Sequence, residues 1–526
     1  MKPRLAATAL HVVVALLGVT AAYFPTLRSG FQRVQTDPGD TLLNAYLLEH
    51  TWQCVSNKQY VGSLWSPPFF HPARETLAYS ENLLGAAPVY WVLRIACSDL
   101  LAFQLWMMVV SIGTYAGMAW ALRSVGVSHV LCAAGGFVFA FGAARTNELA
   151  HQQLLPQMFG PMAVVAGWRF LREPQLRELI ILVAGTTWQL FASIYVGWFF
   201  VLGLMLFLGV GIAVDVSAVR RFGTFFRIRW LSTGLILIAG AASLIWLFEP
   251  DVRVNRDFHR HFADCILPEL HSWLAPPPDG IWSDTLASQR KGQDHVQWLF
   301  PGFTALGAFG LAQLVPLTRA RWLTFNDRAL IATSVVSALL LVALTTRWPG
   351  GASAWRMAFR YLPGANGLRA VTRVFTSVYL FGLLGGMVAL DRLLGRMNFS
   401  WRMPLSLVLL AAATAEQVHW NLPSFEKAPW LARVDAVRAG LAGHQAGYLR
   451  FDPALPYWEN HLIAMWAGLK ADVPVVNGFS GRWPPGYPDW SRSWNDDELK
   501  QWMAASGSDH VAVLNPDGSV RSILER

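Results

Sequence analysis

Charged side chains are scarce in this chain: Asp, Glu, Lys and Arg make up 14% of its 526 residues, while 54% are hydrophobic. Soluble chains carry roughly 25% charged residues, so a soluble enzyme is excluded. Cysteine is scarce too. Four are too few for a disulfide framework, and Cys97 and Cys132 fall in or beside apolar runs, which leaves Cys54 and Cys265 as the one pair a bridge can join. There is no internal repeat or low-complexity tract, which weighs against transporters built from inverted repeats. Nor is there a basic stripe. The net charge of +9 comes from 42 Lys and Arg against 33 Asp and Glu scattered between apolar runs, so nucleic acid is not an expected partner.

What the chain has in abundance is apolar length, with 25 Trp and 31 Phe and long hydrophobic runs recurring along it. Runs of about 17 to 25 residues match helices that cross a hydrocarbon layer of about 30 Å. Hydropathy predicts eleven spans, near residues 5–24, 99–121, 128–144, 153–171, 177–193, 197–215, 230–248, 296–316, 328–346, 373–391 and 402–420. The first follows Lys2 and Arg4 and reads as a retained anchor rather than a cleaved signal.

With the N-terminus inside, alternate connections hold Arg123; Arg169, Arg172 and Arg177; Arg220, Arg221, Arg227 and Arg229; Arg319, Arg321 and Arg328; and Arg392, Arg396 and Arg402. This is the positive-inside pattern. Counting the apolar stretch Leu83 to Cys97 as a span would invert every later loop, so it reads as an interfacial or re-entrant helix. The expected fold class is therefore an α-helical polytopic membrane protein. It divides into a transmembrane domain, 1–420, with outer loops 25–98, 249–295 and 347–372, and a small α/β domain, 421–526. Strands are predicted at Gly447 to Phe451, Pro474 to Phe479 and His510 to Leu514. The expected location is a bacterial inner membrane with the C-terminal domain outside, although a lumenal site in the endoplasmic reticulum follows the same charge rule.

The polar residues of the outer face are the candidates for chemistry. Asp37-Pro38-Gly39-Asp40 stands just beyond the first span. A carboxylate there can act as general base, or Pro-Gly can bend the chain while Asp40 caps a helix beginning at Thr41; the two readings coexist. Glu81, at the start of the interfacial helix, is either a charge-compensating residue or a second cavity carboxylate. Arg145, Asn147, Glu148, His151, Gln152 and Gln153 line a polar cavity or form a wet loop. His259, His261 and Asp264 resemble metal ligands, but no structural-zinc spacing supports them. Arg356, Arg360, Arg369 and Arg373 fall on the outer face against the usual bias, either to fork onto phosphate oxygens or to pair with protein acids or lipid phosphates.

Several of these segments together resemble a family. Gly39-Asp40-Thr41-Leu42-Leu43-Asn44, Thr76 to Gly85, His151-Gln152-Gln153, Leu299-Phe300-Pro301-Gly302, Leu362-Pro363-Gly364 with Leu368-Arg369 and Arg373, and Val476 to Gly481 are similar to segments of GT-C-type polytopic membrane glycosyltransferases, including YfhO-like bacterial relatives. The resemblance implies a GT-C-like fold and a catalytic acid in the first outer loop. It also implies a polyprenyl-phosphate-linked sugar as donor and a lipid, glycan or protein as acceptor. By position Asp40 matches the loop acid, with Asp37 beside it and Glu81 as second acid. Arg145, His151, Gln152, Arg369 and Arg373 are the expected substrate-binding residues. No cofactor is expected, and a divalent metal is allowed but unsupported. Two non-catalytic readings stand beside this one: a lipid-glycan transporter or flippase, and a scaffold for cell-envelope assembly.

Overall fold

The computed structural model describes residues 2–256, 258, 260–317, 323–504 and 510–525. Helix α1 (Lys2–Arg28) leads through strand β1 (Arg33–Gln35) to α2 (Pro38–Ser56) and the short α3 (Ala87–Arg94). Then come α4 (Asp99–Ser124), α5 (His129–Phe141), α6 (Ala143–Asn147), α7 (Gly160–Arg172) and α8 (Leu176–Ala192). The middle of the chain holds α9 (Ile194–Val214), α10 (Ser217–Ile228), α11 (Trp230–Val254), α12 (Phe303–Leu317) and α13 (Phe325–Thr345). Helices α14 (Trp355–Tyr361), α15 (Phe375–Leu394) and α16 (Phe399–Ala415) complete the helical body.

Every expected span contains a helix, and among the described residues seven helices are long and apolar enough to cross a membrane: Leu5–Arg28, Asp99–Ser124, His129–Asn147, Ile194–Val214, Trp230–Val254, Phe325–Thr345 and Val371–Leu394. Helices α7, α8, α12 and α16 have 13, 17, 15 and 17 residues. At about 1.5 Å per residue α7 and the described part of α12 fall short of a full crossing, and α8 and α16 stand at its lower limit. The run at 153–171 is shortened because Pro161 starts α7 and residues before it form a 3₁₀ turn and loop. Helix α3 has eight residues, too few to span, and exposes Val92 and Ile95.

The centre of the bundle is α5, buried along its length and packed on α4. A Cβ at Gly117 of α4 would stand 2.0 Å from the Met158 carbonyl oxygen, so glycine there lets backbone meet backbone. The basic connections gather at one end. Arg172 and Arg221 share Asp215 at 2.5 and 2.8 Å, and Arg169 donates to Ser124 O. Arg392 donates to the carbonyls of Val125 and Gly126 and pairs with Asp391 at 2.9 Å and Asp327 at 3.1 Å. Arg319 and Arg321 lie outside the described residues.

The tail sits at the opposite end. Strand β2 (Ser424–Glu426) pairs antiparallel with β1, tying the tail to the segment after the first helix. After it come α17 (Lys427–Leu441), β3 (Gly447–Leu449), α18 (Tyr457–Ala471), α19 (Asp496–Met503), β4 (His510–Leu514) and β5 (Val520–Glu525). Strand β4 is central in a three-stranded sheet, parallel to β3 and antiparallel to β5. The predicted strand at Pro474 to Phe479 is not one: Val475 makes a single bridge to Gly447, and the Asn477 side chain takes the place of a ladder by bonding Leu449 N and O. Helix α18 lies on α2, where Trp466 Nε1 donates to Leu42 O at 3.1 Å and Lys470 pairs with Asp99 at 2.8 Å. All four cysteines are free, so the Cys54–Cys265 bridge is not formed.

Candidate active site

The first carboxylates are set by how α2 begins. Asp37, not Asp40, is the cap: its side chain accepts from Gly39 N at 3.0 Å, and Pro38 opens the helix. The expected Pro-Gly bend is instead the first turn, because proline's fixed φ suits position N1 and its missing N–H is needed by no partner. Burial, reinforced by the negative charge of Asp40, pushes the Asp37 carboxyl up. Asp40 is thereby freed from capping and stands in the first turn, its side chain 41% exposed. His151 Nε2 lies 3.3 Å from Asp40 Oδ2, and His151 Nδ1 lies 3.1 Å from Glu148 Oε2. The latter contact is off the line of a hydrogen bond, so it pairs charge without satisfying either atom. Burial alone would raise the Glu148 carboxyl, but His151, Arg373 and His295 outweigh it and hold the group below its ordinary value.

Glu81 does not serve the interfacial helix. It reaches the start of α9, accepting from Ile194 N at 2.7 Å, Tyr195 N at 3.0 Å and Ser193 Oγ at 3.3 Å. A carboxylate on the open N–H groups of a helix start is favourable. Burial nonetheless wins, and the carboxyl is pushed up despite these donors and the positive charge of Arg373.

Arg373 stands among these acids. It is 9% exposed, its Nε has no hydrogen-bond partner, and its guanidinium lies 4.4 Å from the Tyr195 ring centre. The Tyr195 hydroxyl accepts from the backbone N–H groups of Arg369 and Ala370, which fixes the loop before α15, while the Arg369 side chain is exposed. Beyond Glu81 lie Asp251 at the end of α11 and Arg482 of the tail. Arg482 donates to Asn255 Oδ1 at 2.6 Å and covers the Phe258 ring at 3.5 Å. Burial and the neighbouring Arg260 bring the Arg482 guanidinium down to about 10.

Two expected ligands turn their bonds inward. Arg145 is buried, spends Nε and a terminal nitrogen on the carbonyls of Phe139 and Leu154, and so pins the corner after α5. Gln152 is also buried, donating to Thr41 Oγ1 at 2.9 Å and accepting from Asn44 Nδ2 at 2.8 Å. It latches the 148–155 loop to α2 and thereby delivers His151 to Asp40. Arg356 and Arg360 lie over the Phe262 and Tyr361 rings. His259 lies outside the described residues, and among those described no group of three or more His, Cys, Asp or Glu could hold a metal ion.

Close to Glu81 in the chain, an apolar groove of about 810 Å³ runs between the Leu84–Val89 segment, Met158 and Phe159 before α7, and helices α8 and α11. Trp188 and Phe191 of α8 line it, and both bond Gly85. Gly240 and Ser243 of α11 line it too. Asp251 follows Ser243 at two helical turns, so the groove's helix face leads up to the polar cluster.

No protein-family model matches the chain, and no curated protein sequence matches it. Among solved structures it is similar to the oligosaccharyltransferase of Archaeoglobus fulgidus in its apo form, at 11% identity and a TM-score of 0.47 over 96% of this chain and 69% of that one. It is also similar to ArnT from Cupriavidus metallidurans in its apo state, at 12% identity and a TM-score of 0.37 over 97% and 92%. Both alignments are loose.

Proposed function

We propose that the protein is an integral membrane glycosyltransferase that moves a sugar from a polyprenyl-phosphate donor to a lipid, glycan or protein acceptor on the outer face of a bacterial inner membrane, inverting the anomeric centre. The observation that supports this best is Arg373, a buried guanidinium whose Nε has no protein partner, set beside the Asp40–His151–Glu148 chain. A buried donor without an acceptor is costly unless a ligand supplies one, and a phosphate suits a guanidinium. Arg369, exposed on the adjoining loop, adds a second cation at the entrance. The apolar groove offers the lipid chain a path between helices to the same cluster.

In this reading Asp40 removes the proton of the acceptor hydroxyl. The oxygen attacks the anomeric carbon, and the bond to the phosphate oxygen breaks with its electron pair leaving on the phosphate, against Arg373. His151 and Glu148 fix the orientation of Asp40. Asp37 caps the helix that presents it, and Glu81 holds the start of α9 so that Tyr195 and Arg373 meet. The test is transfer from a panel of radiolabelled polyprenyl-phosphate sugars by purified protein in bilayers. Transfer that Asp40→Asn abolishes while donor binding persists supports the reading. Movement of labelled lipid across the bilayer with the sugar–phosphate bond intact supports a transporter instead. A function that survives Asp40→Asn and Glu81→Gln but needs residues 421–526 supports a scaffold.

A further inference from the structure

The tail exposes an ordered aromatic ladder that the scheme above does not use. Tyr457 meets Trp490 edge-on at 4.4 Å, and Trp483 leans on Trp490 at 4.9 Å and 33°. Trp483 is 44% exposed. The ladder is held from beneath: buried His461 bonds Trp490 O at 2.8 Å and accepts from Gly478 N at 3.0 Å. Trp494 Nε1 donates to Asp489 O at 2.8 Å. The chain neighbours of both ends reach the polar cluster. Trp458, next to Tyr457, packs over Gly39 in the turn that presents Asp40, and Arg482, next to Trp483, bonds Asn255.

We infer that this ladder is the acceptor subsite and that the acceptor is a carbohydrate chain, one ring stacked on Trp483 and its terminal hydroxyl entering beside Asp40; this rests on the transferase reading. A pyranose ring has an apolar C–H face and a polar rim, which suits an indole face bordered by exposed Asp489, Ser491 and Arg492. An indole already locked by its neighbours loses little entropy on binding. One exposed indole is far smaller than the roughly 800 Å² per partner of a stable protein interface.

The test uses the full chain in nanodiscs, titrated with maltohexaose, cellohexaose and chitohexaose while tryptophan fluorescence is followed. Saturable binding by the wild type to at least one of them, weakened about tenfold or more by Trp483→Ala and restored by Trp483→Tyr, is expected. Polyprenyl-phosphate binding should be unchanged in both variants. Three results overturn the inference: no binding of any of the three, equal binding by Trp483→Ala, or Trp483 emission quenched by brominated lipids, which would place the ladder in the bilayer. Saccharide binding without any transfer would sink the transferase reading and the acceptor role with it, leaving a saccharide site, and transfer with an unaltered acceptor KM in Trp483→Ala would sink the ladder alone.

Discussion

The two ends of the helical bundle treat buried charge in opposite ways. At the basic end arginines meet acids and carbonyls: Arg172 and Arg221 close on Asp215, and Arg392 joins Asp391, Asp327 and two carbonyls. At the end covered by the tail, Arg373 Nε, Glu148 Oε2, His151 Nδ1, Asp251 Oδ2 and Arg260 Nε are buried without hydrogen-bond partners. Glu178 is the comparable orphan at the basic end. Unsatisfied buried groups are costly, so a concentration of them marks the place where the fold gives up stability to keep donors and acceptors ready. The paired end holds helices together, and the other end keeps several buried donors and acceptors open beside paired groups such as Glu81 and Arg145.

Breaking the unpaired end should change chemistry and leave the fold intact. Asp40→Asn keeps the first turn of α2 because Asp37 is the cap, so transfer should fall about a hundred- to ten-thousandfold in single-turnover assays with donor affinity unchanged. A fall in melting temperature of the same variant would return Asp40 to a structural role. Arg373→Gln should weaken donor binding about ten- to a hundredfold, measured by displacement of a fluorescent polyprenyl phosphate; its Nε bonds nothing in the protein, so any loss of stability comes from the charge it lends Glu81 and Glu148 and from its contact with the Tyr195 ring. The mirror variant belongs to the paired end. Arg392→Gln takes from the buried Asp391 the nearer of its two arginines, leaving Ser128 N and Arg402 on its other oxygen, and should cost about 1–2 kcal/mol in unfolding while donor affinity stays put. If Arg373→Gln unfolds the protein and Arg392→Gln does not, the contrast between the ends is lost.

The sequence shows the helices better than it shows the site. Apolar runs place a helix in each of the eleven predicted spans, seven of them long and apolar enough to cross a membrane among the described residues, because an apolar helix announces itself locally. Where prolines intervene, as before α7, hydropathy overstates length. The acids beyond the first span are legible as candidates, but the division of labour between Asp37 and Asp40 depends on which residue starts the helix. Glu81 looks local and acts at a distance of more than a hundred residues, on Ser193 to Tyr195. Arg145 and Gln152 are polar residues in the right loop whose bonds turn inward, which no spacing reveals. Tyr195, Asp251 and Arg482 join the cluster from three separate segments. Only Asp251, a carboxylate closing an apolar run after Pro250, leaves a local trace.

The smallest effect separates a cap from a cavity acid. Burial pushes the Glu81 carboxyl up, so the folded protein binds this proton more tightly than the unfolded chain does. Stability from this group is therefore full below the ordinary carboxylate range and is lost as pH rises through the raised folded value. Asp37 shares that sign and Glu148 has the opposite one, so only the difference between wild type and Glu81→Gln isolates the term. In thermal melts across that window the wild type should drift downward relative to Glu81→Gln by no more than about 2 °C. Glutamine retains one carbonyl oxygen for the α9 N–H groups, so the variant should fold. A wild type that instead drifts upward relative to Glu81→Gln would mean that Glu81 is ionised in the folded state throughout, held by the N–H groups of α9 and by Arg373. A donor phosphate would then meet a protein competitor at Arg373, and Arg373→Gln should weaken donor binding by much less than tenfold.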